Sequence, residues 1–240
     1  MTVRGLVRSS AALAVGCAVA AALFWALINV PESNVLMLTL SGILALGVFA
    51  TLGLTIGGAA SLAAGAVPGT TTRRAVAALP RFAAGLVVFA LLWWITDGAE
   101  RWWTLHRGEV DAVFIRYGNI TSTRRLHETV FWMIWLVRWG LGCSVVAALV
   151  AAGSDGWRAW VRGLRASIRL APLVTASMAA VVLSEAVWRI VYWMPKSLPV
   201  SWIEFVFAGL KLIVLYALVI GIAAFVIGVC GRASRETLVS

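Results

Sequence analysis

The chain has 240 residues, of which 62% are hydrophobic and 12% are charged. A soluble domain is closer to half apolar and about a quarter charged, and its apolar residues alternate with polar ones. Here they form long uninterrupted runs, which is typical of membrane spans. The formal net charge is +10, but the basic residues fall between the apolar runs. This distribution argues against a nucleic-acid partner and favours contact with anionic lipid headgroups.

Six apolar segments reach the length of about 20 residues that crosses the hydrocarbon layer of a bilayer. In chain order they cover approximately residues 10–30, 35–66, 80–96, 128–151, 171–194 and 203–230. Residues 97–127 form the one sizeable segment outside them, and we expect an outer loop there. The sequence therefore predicts an all-α polytopic membrane helix bundle that forms a single transmembrane domain over residues 1–240.

The first apolar segment follows Arg4 and Arg8 and begins with an alanine-rich run, a pattern that secretory signal peptides share. The run continues past the candidate cleavage sites near Ala20 and Ala22 to Ile28, which disfavours cleavage. We therefore expect a retained signal anchor that forms the first span.

The placement of arginine predicts the orientation of the spans. Arginines cluster before the first span, between the second and third, between the fourth and fifth, and after the sixth. The opposite side carries arginines as well, but acidic residues nearly balance them there. Because cytoplasmic loops are enriched in Lys and Arg, we expect both termini to be cytoplasmic in a multi-pass protein of the bacterial inner membrane.

A repeated two-helix unit is one interpretation of the third to sixth spans. When Asp97 is aligned with Glu185, Arg101 also falls on Arg189. Each of the spans that follow begins near an acid and carries a cation deeper in the run, Glu128 with Arg138 and Glu204 with Lys211. Repeats of one orientation are common in membrane transport folds. The alternative is that helix pairs with interfacial arginine and tryptophan look alike without duplication.

Ionisable side chains inside the apolar runs are the most informative feature of the sequence. A charge at mid-bilayer costs about 2.5–3.5 kcal/mol on insertion scales, so such groups are expected to turn inward toward one another or toward water. The candidate intramembrane charge cluster comprises Asp97, Arg101, Arg138, Glu185, Arg189, Glu204 and Lys211. It forms either structural salt bridges between helices or a slightly cationic cavity for an anionic headgroup or solute.

No motif for catalysis, nucleotides or metals stands out. The two histidines, His106 and His127, lack the spacing of a zinc site. The three cysteines, Cys17, Cys143 and Cys230, form no CxxC pair. We therefore expect no catalytic residues, no cofactor and no metal.

These features predict a non-enzymatic integral membrane protein whose partners are membrane lipids and other membrane protein subunits. The first hypothesis is a lipid-contacting subunit of a larger membrane complex, which predicts dry charge pairs and an open aromatic or small-residue face. The alternative is a small transporter or channel-like protein for an anionic or lipid solute, which predicts a cavity reaching Arg138, Glu185 and Lys211. A membrane enzyme of lipid metabolism is the third hypothesis.

Overall fold

The computed structural model describes residues 3–31, 34–64, 68–118, 123–152, 156–193 and 202–236. Nearly all of these residues are helical, and no strand occurs among them. The helices are α1 (Val3–Ile28), α2 (Val35–Ala63), α3 (Pro68–Leu105), α4 (Arg107–Gly118), α5 (Arg124–Ala151), α6 (Gly156–Ser167), α7 (Leu170–Tyr192) and α8 (Trp202–Glu236). Positions 65–66 and 194 of the predicted spans and 119–122 of the predicted outer loop lie outside the described residues.

Six of the described helices, α1, α2, α3, α5, α7 and α8, are long and apolar enough to cross a membrane. This confirms the predicted all-α polytopic membrane bundle. We call the end of the bundle that carries both termini the inner end and the opposite end the outer end. Which side of the membrane the inner end occupies stays a prediction from the arginine pattern.

Helix α3 is longer than the predicted third span and continues through Asp97 and Arg101 to Leu105. Its 38 residues extend about 57 Å, more than the thickness of about 40–45 Å of a bilayer with its headgroups. Asp97 and Arg101 form an ion pair at 2.6 Å between side chains four residues apart, which supports the helix beyond the hydrocarbon. Where it is described, the segment 97–127 is thus the end of α3, the short helix α4 and the start of α5.

The spans pack as successive hairpins that close into a bundle. Helix α1 packs on α2, α2 on α3, α3 on the second half of α5, and α7 on α8, which returns to α1 and α2. Glycine allows the closest approaches, because a Cβ on Gly85 of α3 would lie only 3.1 Å from the Cα of Val146 on α5. In lipid, burial of apolar side chains does not drive helices together, so their association depends on close van der Waals packing. Small residues at helix crossings allow this packing.

The buried core lies in the inner half of the bundle. Two clusters of buried apolar side chains form it, and their largest members are Leu13, Phe82, Val150, Ile220, Val226 and Ile227. The outer halves of α7 and α8 differ, since large apolar side chains are exposed around them, among them Trp188, Tyr192, Phe205, Leu210 and Ile213. The bundle is therefore closely packed at its inner end, while α7 and α8 stand largely uncovered at its outer end.

The short helix α6 packs at the inner end against α5 and α8. It buries Ala159, Gly163 and Ala166, and it exposes Arg158 and Arg165. A Cβ on Gly163 would lie 2.8 Å from the Cα of Leu149 on α5. This contact holds the exposed arginines of α6 at the end of the bundle that we predict to be cytoplasmic.

Candidate functional site

The structure distributes the seven charged residues of the candidate cluster over separate places. Asp97 and Arg101 pair on α3, Arg138 reaches α3 from α5, Glu185 and Arg189 pair on α7, and Lys211 contacts the end of α7 from α8. Glu204 is exposed in the first turn of α8. The seven therefore do not share a single polar centre.

Arg138 is largely enclosed by the bundle, with a side chain that is 13% exposed. Its Nε donates to Thr96 Oγ1 at 3.0 Å and its Nη2 donates to Glu100 Oε2 at 2.9 Å. The guanidinium also lies over the ring of Trp93, 4.6 Å from its centroid, in a favourable cation–π geometry. Three partners on one helix thus anchor Arg138 to α3.

Two of these partners, Thr96 and Glu100, are absent from the predicted charge cluster. They lie four residues apart, and Trp93 precedes Thr96 by three, so all three share one face of α3. This spacing in the sequence indicates a shared face of α3. It does not show that Arg138 on another helix contacts that face.

Arg138 lies in a π-helical segment, Leu136–Leu141, within α5. Such segments often occur at functional sites, because they rotate the following residues relative to a regular helix. A Cβ on Gly140 would lie 2.1 Å from Ser177 Oγ of α7, and one on Gly142 would lie 2.3 Å from Phe89 Cδ2 of α3. The segment and Gly142, which directly follows it, therefore contact α3 and α7 together, and Arg138 lies against α3.

His127, near the start of α5, joins three helices at the outer end. Trp103 Nε1 of α3 donates to His127 Nδ1 at 3.0 Å, and His127 Nε2 lies 2.7 Å from Asp111 Oδ1 of α4. Because Nδ1 accepts a hydrogen bond, the ring proton belongs on Nε2, which donates to Asp111. His106 instead stacks on Trp102, 4.7 Å between ring centroids. His127 therefore serves to hold α4, in which every residue except Val110 and Asp111 is exposed.

We expect Asp111→Asn to loosen α4 from the bundle. Desolvation opposes ionisation, but hydrogen bonds with Thr123 and His127 and electrostatic attraction to His127 and Arg107 outweigh it and lower the pKa of Asp111 from its usual 3.8. A carboxyl group whose pKa is lowered by folding stabilises the folded state fully when the pH is above its usual pKa. This stabilisation is lost as the pH falls through the lowered pKa. The contact is thus at full strength at neutral pH.

Amide hydrogen exchange across α4 measures this effect. The protection factor of α4, which corrects the exchange rate for the intrinsic rate at the same pH, should be several-fold lower in Asp111→Asn than in the parent at neutral pH. The parent should lose this additional protection well below pH 3.8. Glu109→Gln, an exposed acid on the same helix, is the control and should leave the exchange unchanged. Equal protection in the two variants would show that His127 does not hold α4.

Helix α7 exposes one face along its length. Val174, Met178 and Val182 lie on this face and lead at helical spacing to Glu185 and Arg189. Glu185 Oε2 accepts from Arg189 Nε at 3.3 Å, and the two side chains are 60% and 81% exposed. Since α7 has 23 residues, Glu185 lies about 6 Å past its midpoint. The sequence predicts that these charges turn inward, but the structure places them on the open face of a span.

A cavity of about 570 Å³ lies between the outer ends of α7 and α8. Its walls are mostly aromatic and aliphatic and include Trp188, Tyr192, Trp193, Phe207 and Leu210. Arg189 and Lys211 also line it. The cavity therefore combines an apolar surface with two cations.

Hydrogen bonds to the end of α7 hold the Lys211 side chain in position. Its Nζ donates to the carbonyl oxygens of Val191, at 3.2 Å, and of Trp193. It also lies 4.8 Å from the centroid of the Phe207 ring. The last carbonyls of a helix lack partners within that helix, and a lysine can cap them. Lys211 thus closes α7 and at the same time brings a positive charge to the cavity.

A second cavity, of about 350 Å³, lies along α3 and is lined by Trp94, Ile95, Asp97, Gly98 and Arg101. Arg138 lines neither of these two cavities. They hold different charges on different helices, so neither is the joint cavity of Arg138, Glu185 and Lys211 that the transporter hypothesis predicts.

Comparisons with known proteins leave the function to be inferred from these sites. No family model, curated protein or solved structure matches the chain. Within the described residues, no group of three or more His, Cys, Asp or Glu side chains could hold a metal ion. The features that call for a function are thus the exposed ion pair on α7 and the cavity beside it.

Proposed function

We propose that the protein is a non-enzymatic, lipid-contacting subunit of a larger complex in a bacterial cytoplasmic membrane. The six helices that can cross a membrane provide the frame for this proposal. The partner, in our proposal, is a membrane helix of another subunit that packs along the exposed face of α7.

The exposed pair of Glu185 and Arg189 carries the proposal. Lipid tails offer no hydrogen bonds, and a charge near mid-bilayer costs about 2.5–3.5 kcal/mol on insertion scales. The pair neutralises its own charge, but its side chains are 60% and 81% exposed and the remaining donors and acceptors still need partners. A helix of a second subunit along this face would supply polar groups to Glu185, so we expect this face to be an interface.

Arg138 supports the subunit role over a transport role. Thr96, Glu100 and the ring of Trp93 hold its guanidinium within the chain. A cation that binds a passing solute needs donors open to water. Of the dry charge pairs that the subunit hypothesis predicts, Arg138 is largely enclosed in its pair with Glu100, whereas the pair of Glu185 and Arg189 is exposed. The uncovered face of α7 agrees with the open face that the same hypothesis predicts.

Site-specific photocrosslinking in intact membranes tests the proposal. A photoreactive residue at Met178 or Val182 of α7 should give an adduct with one defined protein, because both side chains lie on the exposed face. The same residue at Val87 of α3, also exposed, is the control and should give no such adduct. The double variant Glu185→Leu/Arg189→Leu should lower the adduct yield several-fold, because it removes the polar groups that the partner satisfies.

The opposite result would be lipid adducts alone at all three positions, together with a monomer that purifies in mild detergent without other proteins. That outcome would mean that lipid covers α7 and would overturn the subunit role.

A further inference from the structure

We infer that the cavity between the outer ends of α7 and α8 binds an anionic phospholipid, with its phosphate at Arg189 and Lys211 and an acyl chain along the aromatic wall. This inference deepens the lipid-contacting part of the proposed function and rests on it.

The two cations have donors left for a phosphate. Arg189 uses Nε on Glu185, and its side chain is 81% exposed, so its terminal Nη groups can form the paired hydrogen bonds that guanidinium makes with phosphate. The Lys211 ammonium has three donors and gives two of them to the carbonyls of Val191 and Trp193. Its third can reach a phosphate oxygen beside Arg189.

The charge of the cavity favours an anion. Arg189 and Lys211 line it, and no acid is among the described residues of its lining. Glu185 pairs with Arg189 from outside the lining. Glu204 is exposed one turn before Phe207 and is not part of the lining. Two cations opposed by one acid leave a net positive site for a phosphodiester.

The walls favour a lipid over a free phosphate. Inorganic phosphate would make no favourable contact with the apolar walls. An acyl chain, in contrast, can be buried against Trp188, Tyr192, Trp193, Phe207 and Leu210. The volume of about 570 Å³ falls within the range of about 300–1,000 Å³ for pockets that hold small molecules. An amphiphile uses both parts of the cavity, whereas an ion uses one.

Arg189 lies at the depth in the bilayer at which a lipid headgroup is expected. It lies about 12 Å from the midpoint of α7, close to the edge of a hydrocarbon layer about 30 Å thick. Trp188, Tyr192 and Trp193 surround it, and such aromatic side chains collect at the level of the headgroups. A lipid phosphate would therefore meet Arg189 without leaving its own layer.

Native mass spectrometry of the purified full chain in a neutral detergent tests the inference, with phosphatidylglycerol, phosphatidylcholine and inorganic phosphate as separate probes. Phosphatidylglycerol should bind about tenfold more tightly than phosphatidylcholine, because only the former carries a net negative charge. Inorganic phosphate should not bind, since it cannot use the apolar wall. Equal binding of the two lipids, or retention of inorganic phosphate, would overturn the lipid site.

Two variants of the chain locate the site. Arg189→Gln should weaken phosphatidylglycerol binding about tenfold, whereas Arg189→Lys should retain the preference for the anionic lipid. Arg101→Gln is the matched control, because Arg101 belongs to the equivalent exposed pair on α3 and lies outside this cavity. Leu210→Trp fills the cavity without removing a charge and should also abolish binding. Unchanged binding in Arg189→Gln and Leu210→Trp would overturn the site.

Lipid binding to the purified chain needs no partner subunit, so its outcome is independent of the crosslinking result. Lipid binding without crosslinks would remove the subunit role and leave the lipid site standing. Crosslinks without selective lipid binding would remove the lipid site and leave the subunit role standing.

Discussion

Glu100→Gln is expected to destabilise the bundle more than Arg138→Met, although the two residues form one ion pair. Arg138 is 13% exposed and Glu100 is 40% exposed, so Glu100→Gln keeps an acceptor oxygen but leaves an enclosed guanidinium without its counter-charge. Removing one partner of a buried pair is strongly destabilising because the other charge stays behind. The partial exposure of Glu100 reduces this effect, and we expect a loss of about 2–3 kcal/mol.

Arg138→Met should cost less, about 1 kcal/mol, because water can reach the Glu100 carboxylate that is left and Met fills much of the space of the arginine stem. The double variant Glu100→Gln/Arg138→Met should resemble Arg138→Met, since the buried charge is then gone. Reversible unfolding by denaturing detergent measures all three free energies in a double-mutant cycle.

Asp97→Asn is the control for this cycle. Its ion pair with Arg101 is exposed on the surface of α3, and exposed pairs contribute about 0–1 kcal/mol. A larger loss in Arg138→Met than in Glu100→Gln would contradict the asymmetry and would mean that Arg138 is open to water.

Gly163→Ala is expected to destabilise the contact of α6 with α5 by about 1–3 kcal/mol, the cost of overpacking a well-packed contact. A Cβ on Gly163 would lie 2.8 Å from Leu149 Cα and 3.2 Å from the Ala148 carbonyl oxygen. Both atoms belong to the backbone of α5, so they cannot yield by changing a rotamer. The two helices would have to separate, and protease should then cut α6 more readily at Arg158 and Arg165, which are exposed.

Gly98→Ala is the matched control, because it makes the same change in a helix where no neighbouring side chain or other helix lies within 4 Å of the new Cβ. Alanine is the better helix former by about 1 kcal/mol, so this variant should be neutral or slightly more stable. Thermal unfolding of both variants in detergent compares them directly. Similar stabilities would show that α6 does not pack against α5 as the structure has it.

The sequence by itself determined the six long helices and the ion pairs within them. Each apolar run of sufficient length must become a helix in lipid, because a helix satisfies every backbone hydrogen bond within one segment. The pairs Asp97–Arg101 and Glu185–Arg189 follow from four-residue spacing in the same way. The end of α3 was less predictable, since its polar last turns continue the helix outside the hydrocarbon.

The tertiary structure decided which helix faces which. Arg138 contacts Glu100 and Thr96, not Asp97, because the π-helical segment sets the rotation of α5, and no residue pattern signalled that segment. The outward position of Glu185 and the contact of His127 with Asp111 depend likewise on how whole helices are placed. In a soluble protein, the apolar face of a helix shows which side turns inward. A membrane span is apolar on every face, so only packing between helices fixes its rotation.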